Sequence, residues 1–210
     1  MDLLELDRSA VLESVRVLES AGPIDWELPT PCPQWTLRQL VEHMAAGHRG
    51  FAAATRGEAD DIAAWHAVPL TGDPLDGYRE AAAAVLEAFA QPGVLLREFT
   101  LPEITTRITF PGRVAIGFHL LDYVAHGWDV AAALGVHTEP ATELAEAALA
   151  VALQVPDDDR RRTPEAQFQP SLPPPSGAGT FDLFLYSTGR DPGWTSPSDR
   201  INSQEDSHVR

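Results

Sequence analysis

The chain has 210 residues, 44% of them hydrophobic, which is enough for one domain with a true core. Its formal net charge of −16 and isoelectric point of about 4.6 argue against binding to nucleic acid or anionic membranes, since both need basic patches. With Cys32 as its single cysteine, no signal-like N-terminus and no long apolar run, the sequence predicts a cytoplasmic protein without a membrane span.

Apolar residues at helical spacing predict five main helices. Gly22-Pro23 ends the first, and a capping box between Thr36 and Gln39 opens the second. Helices are predicted at residues 3–21, 36–55, 75–90, 113–134 and 139/140–153. Residues 95–110 instead show alternation and β-branching, which predicts one or two short strands or an extended loop. The pattern indicates a mainly α four-helix bundle with a crossover and a short β-like insertion.

The C-terminal quarter has a different composition. Residues 156–195 are rich in charge and proline, which is typical of a linker, although Thr180 to Thr188 could form a short helix. We therefore predict a bundle at 1–155, a linker and short segment packing on it at 156–195, and a disordered tail at 196–210.

The predicted fourth helix carries Asp122 and His126, which lie about one turn apart on the same face. Apolar neighbours surround both, and burying a carboxylate and an imidazole is costly unless a partner offsets the desolvation. A divalent metal ion would do so, because it binds both groups directly. His43 borders the buried stripe of the second helix, whereas His48 points about 140° away from His43. His43 is therefore the better candidate to enter the core and is the predicted third ligand.

The ligand set His43, Asp122 and His126 has the composition of a catalytic zinc site, and other first-row metals also use it. Three protein ligands leave a position open for water or substrate. A hydrogen-bonded surface pair or a core histidine tied to a carboxylate would show the same spacing. Asp129 and His119 lie near the same face and are alternative ligands, but we predict instead that they orient imidazole N–H groups or touch substrate. Asp129, His119 and His48 are the candidates for catalytic proton transfer.

The remaining candidate residues have simpler interpretations. Trp128 is predicted to pack in the core rather than to line a pocket. Cys32 is predicted to be a packed turn residue, because prolines flank it and no histidine is near it in sequence. Arg190 is predicted to be an exposed loop residue. The other histidines, His66, His137 and His208, are assigned to loops and to the tail.

Three stretches resemble a known family. They are residues 30–43 (TPCPQWTLRQLVEH), residues 122–131 (DYVAHGWDVA) and residues 181–194 (FDLFLYSTGRDPGW). Together they resemble the DinB-like superfamily, and within it the actinobacterial group that includes the N-terminal domain of mycothiol-dependent maleylpyruvate isomerase. The resemblance implies a DinB-like four-helix bundle that binds a divalent metal, commonly zinc, through positions that match His43, Asp122 and His126.

The resemblance also implies a function. In such proteins the metal serves thiol chemistry, with mycothiol or another low-molecular-weight thiol as cosubstrate, because a coordinated thiol loses its proton at neutral pH. We therefore expect thiol transfer to, or thiol-assisted isomerisation of, a small electrophile. The expected protein is a monomer or homodimer. The larger C-terminal domain of the isomerase has no counterpart here, so the substrate stays open. A non-catalytic metal-binding protein and a biosynthetic enzyme using acid–base or cyclisation chemistry are the alternatives.

Overall fold

Six α-helices and one β-hairpin form the part of the chain that the computed structural model describes, residues 1–59, 62–163 and 166–196. The order of these elements matches the predicted order, and the fold is mainly α. The helices are α1 (Leu3–Ser20), α2 (Leu37–Thr55), α3 (Pro74–Phe89), α4 (Gly112–Ala133), α5 (Thr142–Ala152) and α6 (Thr180–Ser187); the strands are β1 (Glu98–Leu101) and β2 (Thr105–Pro111).

Side-chain caps fix where the first helices begin. The Thr36 hydroxyl accepts from the amide of Gln39, and the Gln39 side chain accepts from the amide of Thr36, so the predicted capping box of α2 is confirmed. Asp2 and Glu5 form the same arrangement at α1. Each box satisfies amides at the helix N-terminus that have no partner within the helix.

The bundle consists of α1 to α4, with α1 against α4, α2 against α3, and contacts between α2 and α4 and between α1 and α3. Helix α4 is apolar on nearly all sides and occupies the interior. One continuous core joins the helices, with fully buried side chains that include Val11, Leu37, Leu40, Met44, Tyr78 and Leu120. None of the described helices is both long enough and apolar enough to cross a membrane.

The predicted β-like insertion is an antiparallel hairpin between α3 and α4. Phe99 pairs with Phe110 and Leu101 with Thr105, with an irregularity between the two pairs. Phe99 and Leu101 are buried in a second apolar cluster with Phe51 and Ile116, so the hairpin packs against α2 and α4.

The described part of the C-terminal segment packs on the bundle despite its linker-like composition. Phe168, Phe184 and Leu185 are buried in the same core as the bundle helices. The buried guanidinium of Arg161 fixes the chain by donating to backbone carbonyls; the acceptors belong to Val155, Pro156, Gln169 and Ser187. The predicted tail lies outside the described residues from position 197 onward.

The junction between hairpin and α4 leaves no room for a side chain at Gly112. Its amide donates to the Arg97 carbonyl at 2.7 Å, and a Cβ atom there would lie 2.1 Å from the Val94 carbonyl oxygen. We expect Gly112→Ala to lower the free energy of unfolding by about 1–3 kcal/mol, since a backbone atom must move. Chemical denaturation measures this.

Gly117 supplies the matched control within α4. A Cβ atom at this position would meet only Val151 Cγ2 at 3.7 Å, an ordinary contact. Because alanine favours the helix over glycine by about 0.5–1 kcal/mol, Gly117→Ala is expected to be neutral or stabilising. Equal losses in the two variants would contradict a specific close approach at Gly112.

Candidate metal centre

Helices α2 and α4 bring the three predicted ligands together. One ligand atom from each of His43, Asp122 and His126 lies within 4.8 Å of the other two. His126 Nε2 is 3.4 Å from Asp122 Oδ1, and the His43 and His126 rings meet edge-on with their centroids 5.2 Å apart. His126 is buried, whereas His43 is half-buried and the Asp122 side chain is 30% exposed. The group therefore lies at the edge of the core, where it can meet a ligand from solvent.

The turn before α2 supplies one wall of this group. Thr30 is buried, and its hydroxyl lies 2.9 Å from the carbonyl oxygens of both Cys32 and Trp35, which closes the turn. The Trp35 ring then packs against His43, with centroids 4.6 Å apart, and lies 6.0 Å from the His126 ring. Residues 30–35 thus fix the orientation of His43.

The environment gives the two histidines different proton affinities. Burial, and then the nearby charge of His126, lower the pKa of His43 to about 4, so His43 is neutral at neutral pH. Burial alone would lower the pKa of His126, but the charge of Asp122 and the hydrogen bonds to Asp129 and Cys32 raise it to about 10. Neutral imidazole is the form that binds a metal, so His43 is ready to ligate, and a cation must displace the proton on His126 Nε2.

Asp129 holds the other nitrogen of His126. His126 Nδ1 lies 2.9 Å from Asp129 Oδ2, and Arg190 donates to both carboxylate oxygens of Asp129, at 3.0 and 2.7 Å. The Cys32 thiol donates to Asp129 Oδ2 at 3.3 Å. Burial alone would raise the pKa of Asp129, but the charge of Arg190 and the hydrogen bond from His126 hold it well below its usual range.

Cys32, His126 and Asp129 form a second group whose ligand atoms lie within 4.8 Å of one another. These two groups are the sets of possible metal ligands that occur among the described residues. A cation in the second group would face the Arg190 guanidinium, which is already 2.7 Å from Asp129. The repulsion between the two positive charges favours the first group.

The structure corrects the prediction for Arg190 and adds a contact to the one for Cys32. Arg190 is not an exposed loop residue; its side chain is 8% exposed and pairs with the fully buried Asp129. Cys32 does pack in its turn, but it also lies beside His126, which its distance in sequence did not indicate. Neither contact leaves a local signal, since each joins residues far apart in the chain.

His48, not His43, is the α2 histidine that enters the core. His48 and His119 are fully buried, and His48 Nδ1 lies 3.1 Å from His119 Nε2. His119 Nδ1 in turn lies 2.6 Å from an oxygen of the buried Asp7. The His48 ring stacks on Tyr123 at 3.9 Å between centroids. We call Asp7, His48 and His119 the buried cluster. His119 contacts the other two members of this cluster and not the His126 imidazole.

The remaining sequence predictions have mixed outcomes. Trp128 is half-buried, where it both packs against the core and lines a surface groove. His66 and His137 lie in exposed loops, as predicted, and His208 lies outside the described residues. The three candidates for proton transfer, Asp129, His119 and His48, are each fully buried, and their catalytic role stays a prediction.

Glu103 is a residue near the site that the sequence alone does not single out. It lies in the exposed turn between β1 and β2. Partial burial of its carboxyl group, and then the charge of Asp122, raise the pKa of Glu103 to about 7. A carboxylate with such a pKa can both accept and release a proton near neutral pH. A cation bound at Asp122 would offset the negative charge of Asp122 and so reduce its effect on the pKa of Glu103.

Comparison with known proteins places the sequence in a family. The family model described as the mycothiol maleylpyruvate isomerase N-terminal domain matches residues 8–131, which include all three predicted ligands. Two uncharacterized proteins of Mycobacterium tuberculosis, MT0763 of strain CDC 1551 and Rv0738 of strain H37Rv, are each 36% identical over 151 residues, 69% of this chain and 70% of theirs. No solved structure gives a significant match. The chain belongs to the mycothiol maleylpyruvate isomerase N-terminal domain family, a DinB-like group.

Proposed function

We propose that the protein is a divalent-metal-dependent enzyme that uses a low-molecular-weight thiol, such as mycothiol, to modify a small electrophile. The observation that carries this proposal is the convergence of His43, Asp122 and His126 within 4.8 Å at the edge of the bundle core. Family membership supports thiol chemistry, because mycothiol appears in the description of the family.

The residues present fit a metal such as zinc. Two imidazoles and one carboxylate match the ligand set of catalytic zinc sites, and three protein ligands leave a position for a further ligand. His43 is held neutral, and His126 directs Nε2 toward Asp122 while Nδ1 faces Asp129. A metal-bound imidazole characteristically donates its second N–H to a carboxylate, as His126 does here.

The chain's own residues would serve the reaction in separate ways. A bound cation would lower the pKa of a coordinated thiol, so that the thiol is a nucleophile at neutral pH. The Trp35 ring, which packs on the ligand His43, forms an aromatic wall beside the site that restricts where a substrate lies. Glu103 would accept the thiol proton, because its side chain is exposed and lies close enough to Asp122 for the two carboxyl groups to interact. In transfer, sulfur bonds to the electrophilic carbon and the leaving group departs with its electron pair. In isomerisation, sulfur adds to a double bond and is expelled after rotation.

A metal-binding protein without turnover is the competing function. The burial of Asp129, His119 and His48 favours it, because none of these three side chains reaches a substrate without rearrangement. A biosynthetic enzyme using the bundle for acid–base chemistry without metal would instead keep its activity after chelation.

Turnover of a bimane electrophile with mycothiol or cysteine, followed by fluorescence, tests the proposal. We expect activity that is lost on chelation, restored by Zn²⁺ and reduced at least about 100-fold in Asp122→Ala, since losing even an outer partner of a metal ligand costs 10–100-fold. His66→Ala, which changes an exposed loop histidine, is the control and should act as wild type. Zn²⁺ binding without turnover across several thiols would favour the non-catalytic function, and activity that resists chelation would exclude a metal role.

A further inference from the structure

The carboxylate of Asp129 has every one of its contacts inside the protein. It is fully buried and accepts from two nitrogens of Arg190, from His126 Nδ1 and from the Cys32 thiol. Arg190 supplies two charged donors among these, in the parallel arrangement that guanidinium and carboxylate prefer.

Arg190 is itself held rigidly by the C-terminal segment. Its amide donates to the Leu185 carbonyl at 2.8 Å, and its Nη1 donates to the Thr188 carbonyl at 3.0 Å. Its guanidinium also lies over the Phe168 ring, 5.7 Å from the centroid. Phe168 and Leu185 belong to the core, so the position of Arg190 is tied to the packing of this segment on the bundle.

We propose that Arg190 is a positioning residue for the metal centre: it fixes the Asp129 carboxylate, which holds His126 with Nε2 toward Asp122 and His43. This inference rests on the proposed function, because it assigns His126 Nε2 to a metal. The chain of contacts runs from Arg190 to Asp129 to His126 with successive distances of 2.7 and 2.9 Å.

The physical reason is that an imidazole has two nitrogens, and the hydrogen bond made by one decides which nitrogen faces the metal. Without Arg190, the buried Asp129 carboxylate would lose two of its donors and would have to move or admit water. Either change releases the constraint on the His126 ring. A C-terminal segment that looks like a linker in composition would thereby complete the site.

Arg161 provides a matched control for this test. It is also a buried arginine of the C-terminal segment, but its hydrogen bonds go to backbone carbonyls of that segment and of the chain just before it. Arg161→Ala therefore removes contacts within the segment but none of the hydrogen bonds of Asp129 and His126. Comparing it with Arg190→Ala separates positioning of the site from general stability.

The experiment measures the Zn²⁺ dissociation constant by competition with a chromophoric chelator, at a temperature where every variant is folded. We expect Arg190→Ala to weaken Zn²⁺ binding by about 10–100-fold and Arg161→Ala to change it less than about twofold. If Arg190→Ala does not fold, Arg190→Lys serves instead; lysine keeps the positive charge but lacks the planar fork that donates to both carboxylate oxygens, so a loss of about 10-fold is expected. Wild-type affinity in the variant that is used, or an equal loss in Arg161→Ala, would overturn the inference.

A second measurement on the metal-free protein keeps the inference separate from the proposed function. The His126 Nδ1 proton, held by Asp129, should give a slowly exchanging downfield signal in the proton NMR spectrum. We expect Arg190→Ala to abolish this signal and Arg161→Ala to keep it. If wild type binds no Zn²⁺, the proposed function fails, whereas retention of the signal in Arg190→Ala would refute the positioning role itself.

Discussion

Replacing His43 with alanine is expected to raise the dissociation constant for Zn²⁺ by at least about 100-fold. His43 is the single ligand that α2 contributes to the group of three, and the other two lie on α4. Its loss leaves Asp122 and His126, which are one carboxylate and one imidazole. Two ligands hold zinc far more weakly than three, and loss of an outer partner alone already costs 10–100-fold.

The His43 effect can be distinguished from loss of folding. His43 is half-buried and its ring packs on Trp35, so His43→Ala should lower stability only modestly. His137→Ala, at an exposed loop histidine, is the control for nonspecific zinc binding and should keep the wild-type constant. Calorimetric titration of the chelator-treated wild type and both variants measures the constants. An unchanged constant in His43→Ala would mean that α2 takes no part in a metal site.

The second large effect is expected in the buried cluster of Asp7, His48 and His119. His119→Ala should lower the free energy of unfolding by about 3–5 kcal/mol, because it opens a cavity in the core and removes the hydrogen-bond partner of a buried side chain. His119 Nδ1 lies 2.6 Å from Asp7 Oδ1, and Asp7 is 1% exposed. The other carboxylate oxygen of Asp7 already lacks a hydrogen-bond partner, so the carboxylate would be left buried without a donor.

A double-mutant cycle in urea isolates this interaction. The variants are Asp7→Ala, His119→Ala and the two combined, each compared with wild type. We expect His119→Ala to cost at least about 2 kcal/mol less when Asp7 is already alanine, because no unpaired carboxylate then remains. Costs that add to within about 0.5 kcal/mol would show that the loss comes from the cavity and not from the pair.

Most of the fold follows from local features of the sequence. Helical spacing and the Thr36–Gln39 capping box define α2, and alternation defines the hairpin at Glu98–Leu101 and Thr105–Pro111. These features depend on neighbours a few residues away, so one sequence is enough to reveal them. The convergence of His43 with Asp122 and His126 is also predictable, because ligands on two facing helices of a bundle can meet.

The wrong predictions concern contacts that join distant parts of the chain. A helix with one buried stripe is exposed on the opposite face, which predicts that His48 lies away from the core. In the structure α2 packs against α3, α4 and β1 at once, so the side that carries His48 is buried as well. Arg190 is predicted at the surface because arginines in loops are usually exposed, but in the structure it is buried and pairs with Asp129. Partners at such separations leave no periodic pattern, so only the folded structure reveals them.

X-ray absorption at the zinc edge tests most directly whether His43, Asp122 and His126 form the metal site. For protein loaded with one equivalent of Zn²⁺, we predict a first shell of two imidazole nitrogens and light oxygen ligands at about 2.0–2.2 Å, without sulfur. The imidazole contribution should fall in His43→Ala. A sulfur shell at about 2.3 Å would instead place the ion in the group of Cys32, His126 and Asp129, and would contradict a metal centre built on α2 and α4.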